Sequence, residues 1–472
     1  DGYISFAPRV CNGNPYWKKY YQNCIWGRRV LQDGRTLSET GVIEDWVPLV
    51  GSGIFGLSGV RNQDDTGTLL AVAHRVGQNH EDGSYLDGEN GESWVTSSSS
   101  ILLYEVNDAL EVTLKQEIQT QVGLTCDLNG PPEGTGNQCN PTGFQNLAPR
   151  TPHIGATAIA RAESGQLMVC WASPEMNQDA LEYPDETLDP QHVMCSLGTP
   201  NLDGTAFTFS EPQEVGQPNG RRVYALDAVN IESDAAPYWA LTVQRGLKQW
   251  HYTDSLIQTS TTLHALTPSP EASGLSVTPS LTLCDDSDGT GYNRCGRAAL
   301  ASGDPSLEDS GVWVAYTTYN DGGLSIPVLS QYLLSEQAFD LKDVPSVEAV
   351  FDTAKFQLTD LAKVGTFDSA DWLLIGTRSD PETTYIEPVM LRVSSTGSIT
   401  LWEEGNPDTV FQPLPVDPAE APPWETRAPE VVTQQGWPHL VTWWDEDRGL
   451  MGRTFDSMNL KDTVTAPTVR LR

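Results

Sequence analysis

The sequence predicts an all-β fold, a β-propeller of seven blades with six as the alternative, on three observations. Amphipathic helical periodicity is nearly absent from its 472 residues. Short apolar or aromatic runs recur instead, bounded by Gly, Pro, Asp and Asn turns. The surroundings of each run also repeat, which is the mark of a degenerate structural repeat.

The clearest runs are LLAVAHR (69–75), LMVCWAS (167–173), YWALTVQR (238–245), VWVAYTTY (312–319), WLLIGTR (372–378) and HLVTWWD (439–445). Before such a run comes a small-residue strand ending in a turn, as in GATAIARAESG (155–165), GRAALASGD (296–304), DLAKVGTFDSA (360–370) and APEVVTQQG (428–436). After it come two extended segments around a turn, as in VMLRVSSTGSITLWEEG (389–405) and LMGRTFDSMNLKDTVT (450–465). Four strands per repeat, the second continuously apolar because both its faces meet neighbours, describe a propeller blade.

The stretch IWGRRVLQDGRTLSETG (25–41) matches the closing half of the last repeat and reads as the third and fourth strands of a further blade. YISFAPRV (3–10) and NPYWKKYY (14–21) supply its earlier strands less clearly. The chain is therefore expected to be one propeller domain over 1–472, with 1–50 an irregular N-terminal blade or cap and 121–150 an inserted loop. Closure of the ring would remove exposed sheet edges.

This pattern of apolar strand, turn and WGRRVLQDGRTLSE resembles the degenerate repeats of secreted bacterial β-propeller proteins. The resemblance implies the fold and supplies no activity. The Ser-x-Asp-x-Gly-x-Thr-Trp turn of sialidases is not recognisable, and WD dipeptides do not recur in register.

Lys plus Arg number 28 against 63 Asp plus Glu, a formal charge of -35. That field repels polyanions, so nucleic acid is not an expected partner. No apolar run approaches the roughly 20 residues of a membrane-spanning helix, so no transmembrane segment is expected. The first residue is Asp1, consistent with a removed leader.

Eight cysteines fall into four local couples: Cys11 with Cys24, Cys126 with Cys139, Cys170 with Cys195, and Cys284 with Cys295. Even, local pairing without a CxxC knuckle favours disulfides over zinc, and hence an oxidising extracellular or cell-envelope location. Cys170 lies in an apolar run and Cys195 in the next extended segment, so that bridge would join neighbouring strands of one blade. Closing a loop of this length contributes on the order of 3 kcal/mol by restricting the unfolded chain.

Two inserts share a plan, CDLNGPPEGTGNQC (126–139) and CDDSDGTGYNRC (284–295). In the second, Asp285, Asp286, Asp288 and Asn293 offer hard oxygens to a calcium ion. The plainer reading is a hydrophilic loop made rigid by its disulfide, with Asp and Asn capping turns.

Aligning the second strands places Arg75, Ser173, Arg245, Tyr319, Arg378 and Asp445 at equivalent offsets near the strand ends. Arg75, Arg245 and Arg378, with Tyr319, are candidate ligand contacts for a carboxylate or sulfate, since guanidinium pairs bidentately with such groups. Salt bridges to the many acids are the rival reading. His74, His80 and Tyr85 lie close to Arg75 in HRVGQNHEDGSY. Resemblance to propeller polysaccharide lyases would make His and Tyr base and acid, with Arg neutralising a uronate; an exposed loop explains the same residues. Trp17, Trp250, Tyr252, Trp443 and Trp444 offer sugar-stacking faces or blade core.

Three functions remain open at this point. The first is an extracellular, noncatalytic binding or scaffold protein recognising a surface protein or glycan through disulfide-clamped loops. The second is a polysaccharide lyase or hydrolase with an Arg/His/Tyr site at the propeller centre. The third is a subunit of a secreted or envelope-bound assembly. No cofactor beyond Ca2+ is expected.

Overall fold

The computed structural model describes residues 2–10, 23–31, 47–50, 54–78, 94–122, 126–127, 156–174, 191–202, 204, 206–216, 221–232, 237–248, 256–269, 274–277, 280–286, 295–302, 311–319, 325–335, 338–342, 355–364, 371–379, 386–393, 399–402, 426–432, 439–445, 449–455 and 469–470. Among these residues every regular element is a strand, and the strands form seven antiparallel sheets in chain order.

The second sheet shows the plan. Ile54–Arg61, Gly67–Gln78, Trp94–Asn107 and Val112–Val122 pair in sequence, each strand beside the next. The third sheet runs Thr157–Arg161, Leu167–Pro174, Gln191–Pro200 and Phe207–Phe209, and the fourth runs Arg222–Ile231, Tyr238–Lys248, Leu256–Pro268 and Leu275–Val277. The fifth begins with Ala298–Ser302 and Val312–Tyr319, the sixth with Lys355–Val364 and Asp371–Ser379, the seventh with Thr426–Val432 and His439–Asp445. Each of these three also continues through two more strands.

Burial explains the continuous apolar runs. Leu69, Ala71 and Ala73 pack toward the third sheet, whereas Leu70 and Val72 pack toward the first. Met168, Cys170 and Ala172 face the fourth sheet, while Leu167, Val169 and Trp171 face the second. Trp239, Leu241 and Val243 face the third sheet, and Tyr238 and Ala240 the fifth. Successive side chains of a strand point to opposite faces, so a strand sandwiched between sheets must be apolar at every position. Fully burying Trp171 or Trp239 contributes roughly 2–3 kcal/mol each.

Consecutive sheets thus stack face to face in chain order. The fifth and sixth meet through Trp313 and Trp372, ring centroids 4.6 Å apart. The first strands of neighbouring sheets lie side by side from the second sheet to the seventh. They are built of small residues, as in Thr157–Arg161 and Ala298–Ser302, because several converge there. Antiparallel four-stranded sheets stacked serially with their first strands innermost make a β-propeller.

The first sheet has three strands among the described residues, Gly2–Val10, Asn23–Leu31 and Val47–Val50. Its central strand packs on Ile54–Arg61, as the third strand Gln191–Pro200 packs on Arg222–Ile231. The strand paired beyond Asn23–Leu31 is Val47–Val50; the segments 14–21 and 32–41 lie outside the described residues. The insert expected at 121–150 starts later, since Gln121 and Val122 still pair with Ser99 and Ser98. Cys126–Asp127 then pairs with Trp94 and Val95.

Candidate functional site

The strand ends divide the propeller into two ends. Because neighbours are antiparallel, each second strand finishes where the first begins. In the second to sixth sheets, the connections 79–93, 175–190, 249–255, 320–324 and 380–385 leave second strands at this end. The crossovers between sheets, 128–156, 215–221, 286–297, 343–354 and 403–425, also leave here. The opposite end carries shorter turns at 62–66, 108–111, 162–166 and 336–337, with the connection 303–311 as a longer exception. At 162–166 the tightness is visible in Gly165, at φ +84, whose amide donates to the Ala162 carbonyl. Long connections on a rigid scaffold are where specificity is placed.

The aligned positions all lie at this end. Arg75 pairs with Ser99, Ser173 with His192, Arg245 with Val223 and Ser260, Arg378 with Phe356 and Glu387, and Asp445 with Thr426. Tyr319 ends its strand opposite Ser325. His74 pairs with Ser100 and Ile54. His80, Tyr85, Asp288, Asn293, Cys11 and Cys139 lie outside the described residues. Cys24 sits opposite Arg9 and Cys126 opposite Val95. Cys170 and Cys195 are direct cross-strand partners joined by a disulfide, and a second disulfide joins Cys284 to Cys295.

At this end the structure describes both attachment points of the segment closed by Cys284 and Cys295. Strand Leu281–Asp285 pairs with the start of Leu256–Pro268, where the register slips around Gln258. Gln258 is left-handed at φ +49, a bulge geometry that costs a non-glycine residue of order 1–3 kcal/mol unless its surroundings enforce it. The next residue, Thr259, is fully buried and holds both ends of the loop. Its hydroxyl accepts the Cys295 amide at 2.9 Å, and its carbonyl accepts the Asp286 amide at 2.9 Å.

Three further side chains complete the clamp. Gln244 Nε2 donates to the Cys295 carbonyl at 3.1 Å, and the Thr261 hydroxyl donates to the Gly296 carbonyl at 2.7 Å. From the fifth sheet, the Tyr319 hydroxyl donates to the Asp285 carbonyl at 3.0 Å. Gly296 passes so close to Thr317 that an added Cβ would lie 2.9 Å from the Thr317 side chain. Asp285 is exposed and Asp286 buried. Among the described residues no three His, Cys, Asp or Glu side chains group as metal ligands.

The seam between the third and fourth sheets carries a second polar group. Arg245 is 5% exposed; burial brings it down to about 10, Glu214 opposing the shift and Arg221 adding to it. Glu214 lies 2.7 Å from His192 Nδ1, both of them open to solvent. His264 is buried beneath the same seam, with Thr262 Oγ1 2.9 Å from its Nε2.

Sequence reasoning found the loop and its disulfide but missed Gln244, Thr259, Thr261 and His264. A signal existed in LIQTSTTLHALTP (256–268), where Gln, Ser, Thr and His are interspersed with apolar residues in one strand.

No protein family and no curated protein matches the chain. Among solved structures it is similar to an α-L-arabinanase of Penicillium chrysogenum, at 10% identity over 82% of this chain and 88% of that one, with a TM-score of 0.38. It is also similar to the Aleuria aurantia lectin, described as a six-bladed β-propeller with a fucose recognition mode, at 9% identity over 78% and 89%, TM-score 0.34. A third is a Trypanosoma rangeli sialidase, at 7% identity over 94% of this chain and 57% of that one, TM-score 0.36. The propeller assignment above stands on the chain's own sheet order and packing. No helix among the described residues is long and apolar enough to cross a membrane.

Proposed function

We propose that this protein is an extracellular, noncatalytic propeller that recognises a glycan with the end from which the long connections leave. The observation that supports this most is the clamp at Cys284 and Cys295: a disulfide, five hydrogen bonds and a left-handed Gln258 fix the two ends of the segment between them. Fixing the ends of a loop before binding lowers the entropic cost of the binding step, which serves recognition.

The surroundings favour sugar over protein as the ligand. Protein interfaces centre on an apolar, aromatic-rich core. The exposed large hydrophobics among the described residues are Leu114, Leu202 and Leu341. They sit in the outer strands and the 201–206 turn, toward the short-turn end. The loop end instead presents Asp285, a partly exposed Tyr319 and the His192–Glu214 pair, groups suited to hydroxyls and sugar faces. In this reading Arg75, Arg245 and Arg378 surround the site at the same level of the fold, and the first sheet counts as a seventh blade. Binding of the whole chain to a glycan array tests it; a blank array with and without calcium would turn the reading toward a surface protein.

A second reading, a polysaccharide-cleaving enzyme, is favoured by His192, whose Nδ1 faces the Glu214 carboxylate at 2.7 Å. A carboxylate that fixes an imidazole in this way prepares Nε2 for proton transfer. Release of reducing or unsaturated ends from uronic-acid polysaccharides, abolished by His192→Ala, would establish it.

A further inference from the structure

Only 28 of the 472 residues are Lys or Arg, yet four consecutive sheets carry one at the start of their innermost strand. The fourth sheet opens with Arg222, opposite Gly246, and the sixth with Lys355, opposite Ser379. In the fifth, Arg297 directly precedes Ala298–Ser302; in the seventh, Arg427 stands second in Thr426–Val432, opposite Trp444. All four strands start at the end from which the long connections leave, and each lies beside the next. Their basic residues therefore form one arc across four sheets.

The levels agree. Arg222 and Lys355 each stand one residue before the partner of an aligned second-strand arginine, Val223 opposite Arg245 and Phe356 opposite Arg378. Arg427 stands one residue after Thr426, the partner of Asp445. Gly296, just before Arg297, donates its amide to the carbonyl of Thr317, two residues short of the end of Val312–Tyr319. The arc thus spans about three residues of strand, roughly 10 Å. Around Arg297 the backbone is held: the Thr261 hydroxyl donates to the Gly296 carbonyl at 2.7 Å and the Thr242 hydroxyl to the Ala298 carbonyl at 3.2 Å. Ala298 and Leu300 pack toward the fourth sheet, which leaves Arg297 on the face turned to the sixth. Its Nε is buried and has no hydrogen-bond partner among the described residues.

Neighbouring cations repel one another, and a bound anion relieves that repulsion. Acids also lie at this end: Glu214 is engaged by His192 at 2.7 Å, Glu387 stands opposite Arg378, Asp445 opposite Thr426, and Asp285 and Asp286 at the foot of the disulfide-closed segment. None occupies either of the first two positions of the four inner strands. Nor does the formal charge of -35 cancel the arc, because exposed charges beyond about 8 Å are largely screened at physiological ionic strength. We infer that the arc recognises an anionic saccharide, whose carboxylate or sulfate groups pair with basic residues at the start of the inner strands. The inference rests on the glycan reading above and names its ligand class. Carboxylate and sulfate both present the paired oxygens that guanidinium binds in a bidentate way. Cys295, gripped by Thr259 and Gln244, lies two residues before Arg297, so the clamp and the arc meet the same ligand.

Calorimetric titration of the whole chain tests the arc with four probes: a uronic-acid oligosaccharide, its carboxyl-reduced counterpart, a sulfated galactan oligosaccharide and its desulfated counterpart. The two charged probes separate carboxylate from sulfate as the recognised group. At least one should bind about tenfold or more tighter than its neutral counterpart, with an affinity that falls as salt is raised. Lys355→Gln and Arg427→Gln should each weaken that binding by about tenfold at an unchanged melting temperature. Arg297→Gln should do the same, and if it fails to fold the other two variants carry the test. Equal affinity for a charged probe and its neutral counterpart, or wild-type affinity in every folded variant, would overturn the inference and leave glycan recognition standing. Four blank titrations would also overturn it, and the glycan array then reports whether glycan recognition falls with it.

Discussion

The Thr259 hydroxyl accepts the Cys295 amide at 2.9 Å, one residue beyond the left-handed Gln258. A bulge in the third strand of the fourth sheet thus turns a buried threonine toward the far end of a disulfide loop. Local strain at Gln258 thus accompanies a grip on both ends of the disulfide loop.

Thr259→Val keeps the side-chain shape but leaves the Cys295 amide buried without its acceptor. It should lower unfolding free energy by about 1–3 kcal/mol, the cost of an orphaned buried donor. Thr259→Ser should recover most of this. Denaturant titration of the three proteins provides the comparison, and equal midpoints would mean the hydroxyl is not needed.

Gln258 gives the opposite sign. Glycine adopts a positive φ without steric cost, so Gln258→Gly should be neutral or stabilising by up to about 1 kcal/mol despite its greater unfolded-state entropy. Gln258→Ile should destabilise by about 1–2 kcal/mol, since a β-branched residue resists this conformation. Thermal melts of both variants check the order.

Replacing Cys284 and Cys295 together by serine should cost roughly 2–3 kcal/mol through the freed unfolded chain. The native loop should nevertheless persist, because Gln244, Thr259, Thr261 and Tyr319 still grip it. Adding Tyr319→Phe removes a partly exposed hydrogen bond and about 0.5–1 kcal/mol more. Exchange of the Asp286 and Cys295 amides reports whether the loop remains docked.

His264 sets a pH dependence with a definite sign. Its folded value is lowered to about 4 from an ordinary 6.5, so between those pH values the unfolded chain binds more protons. Its contribution to stability is complete above about pH 6.5 and is lost as pH falls toward 4, by roughly 3 kcal/mol in total. Gly216→Ala, strained at φ +70 and tight against His264 Cε1, should destabilise at every pH by about 1–2 kcal/mol. Urea midpoints of wild type, His264→Gln and Gly216→Ala between pH 4 and 7 separate the two effects.

The architecture was legible because a strand with neighbours on both faces must be apolar throughout, as 69–73 and 167–172 are. Small first strands announced themselves for a similar reason: Ala298 and Ala299 are crowded from several sides. The first sheet was harder to read, since in its sequence only 25–41 matches another repeat. In the site, Cys284 and Cys295 were paired by nearness in sequence alone. Thr259 and Gln244 were not found, because their partner is a backbone more than 30 residues away, at separations of 36 and 51. Nor does any residue pattern mark Gln258 as left-handed. Arg245 was expected as a ligand contact from its place at a strand end; that it is almost wholly buried depends on the crossover above it, which strand periodicity does not report.

The central claim is that the clamped loop is the recognising surface. It is tested most directly by glycan-array binding of the wild type beside a variant in which residues 287–294 are replaced by Gly and Ser, with Cys284 and Cys295 retained. The account predicts that the wild type binds a defined set of glycans and that the variant loses them at an unchanged melting temperature. Undiminished binding by the variant would contradict it.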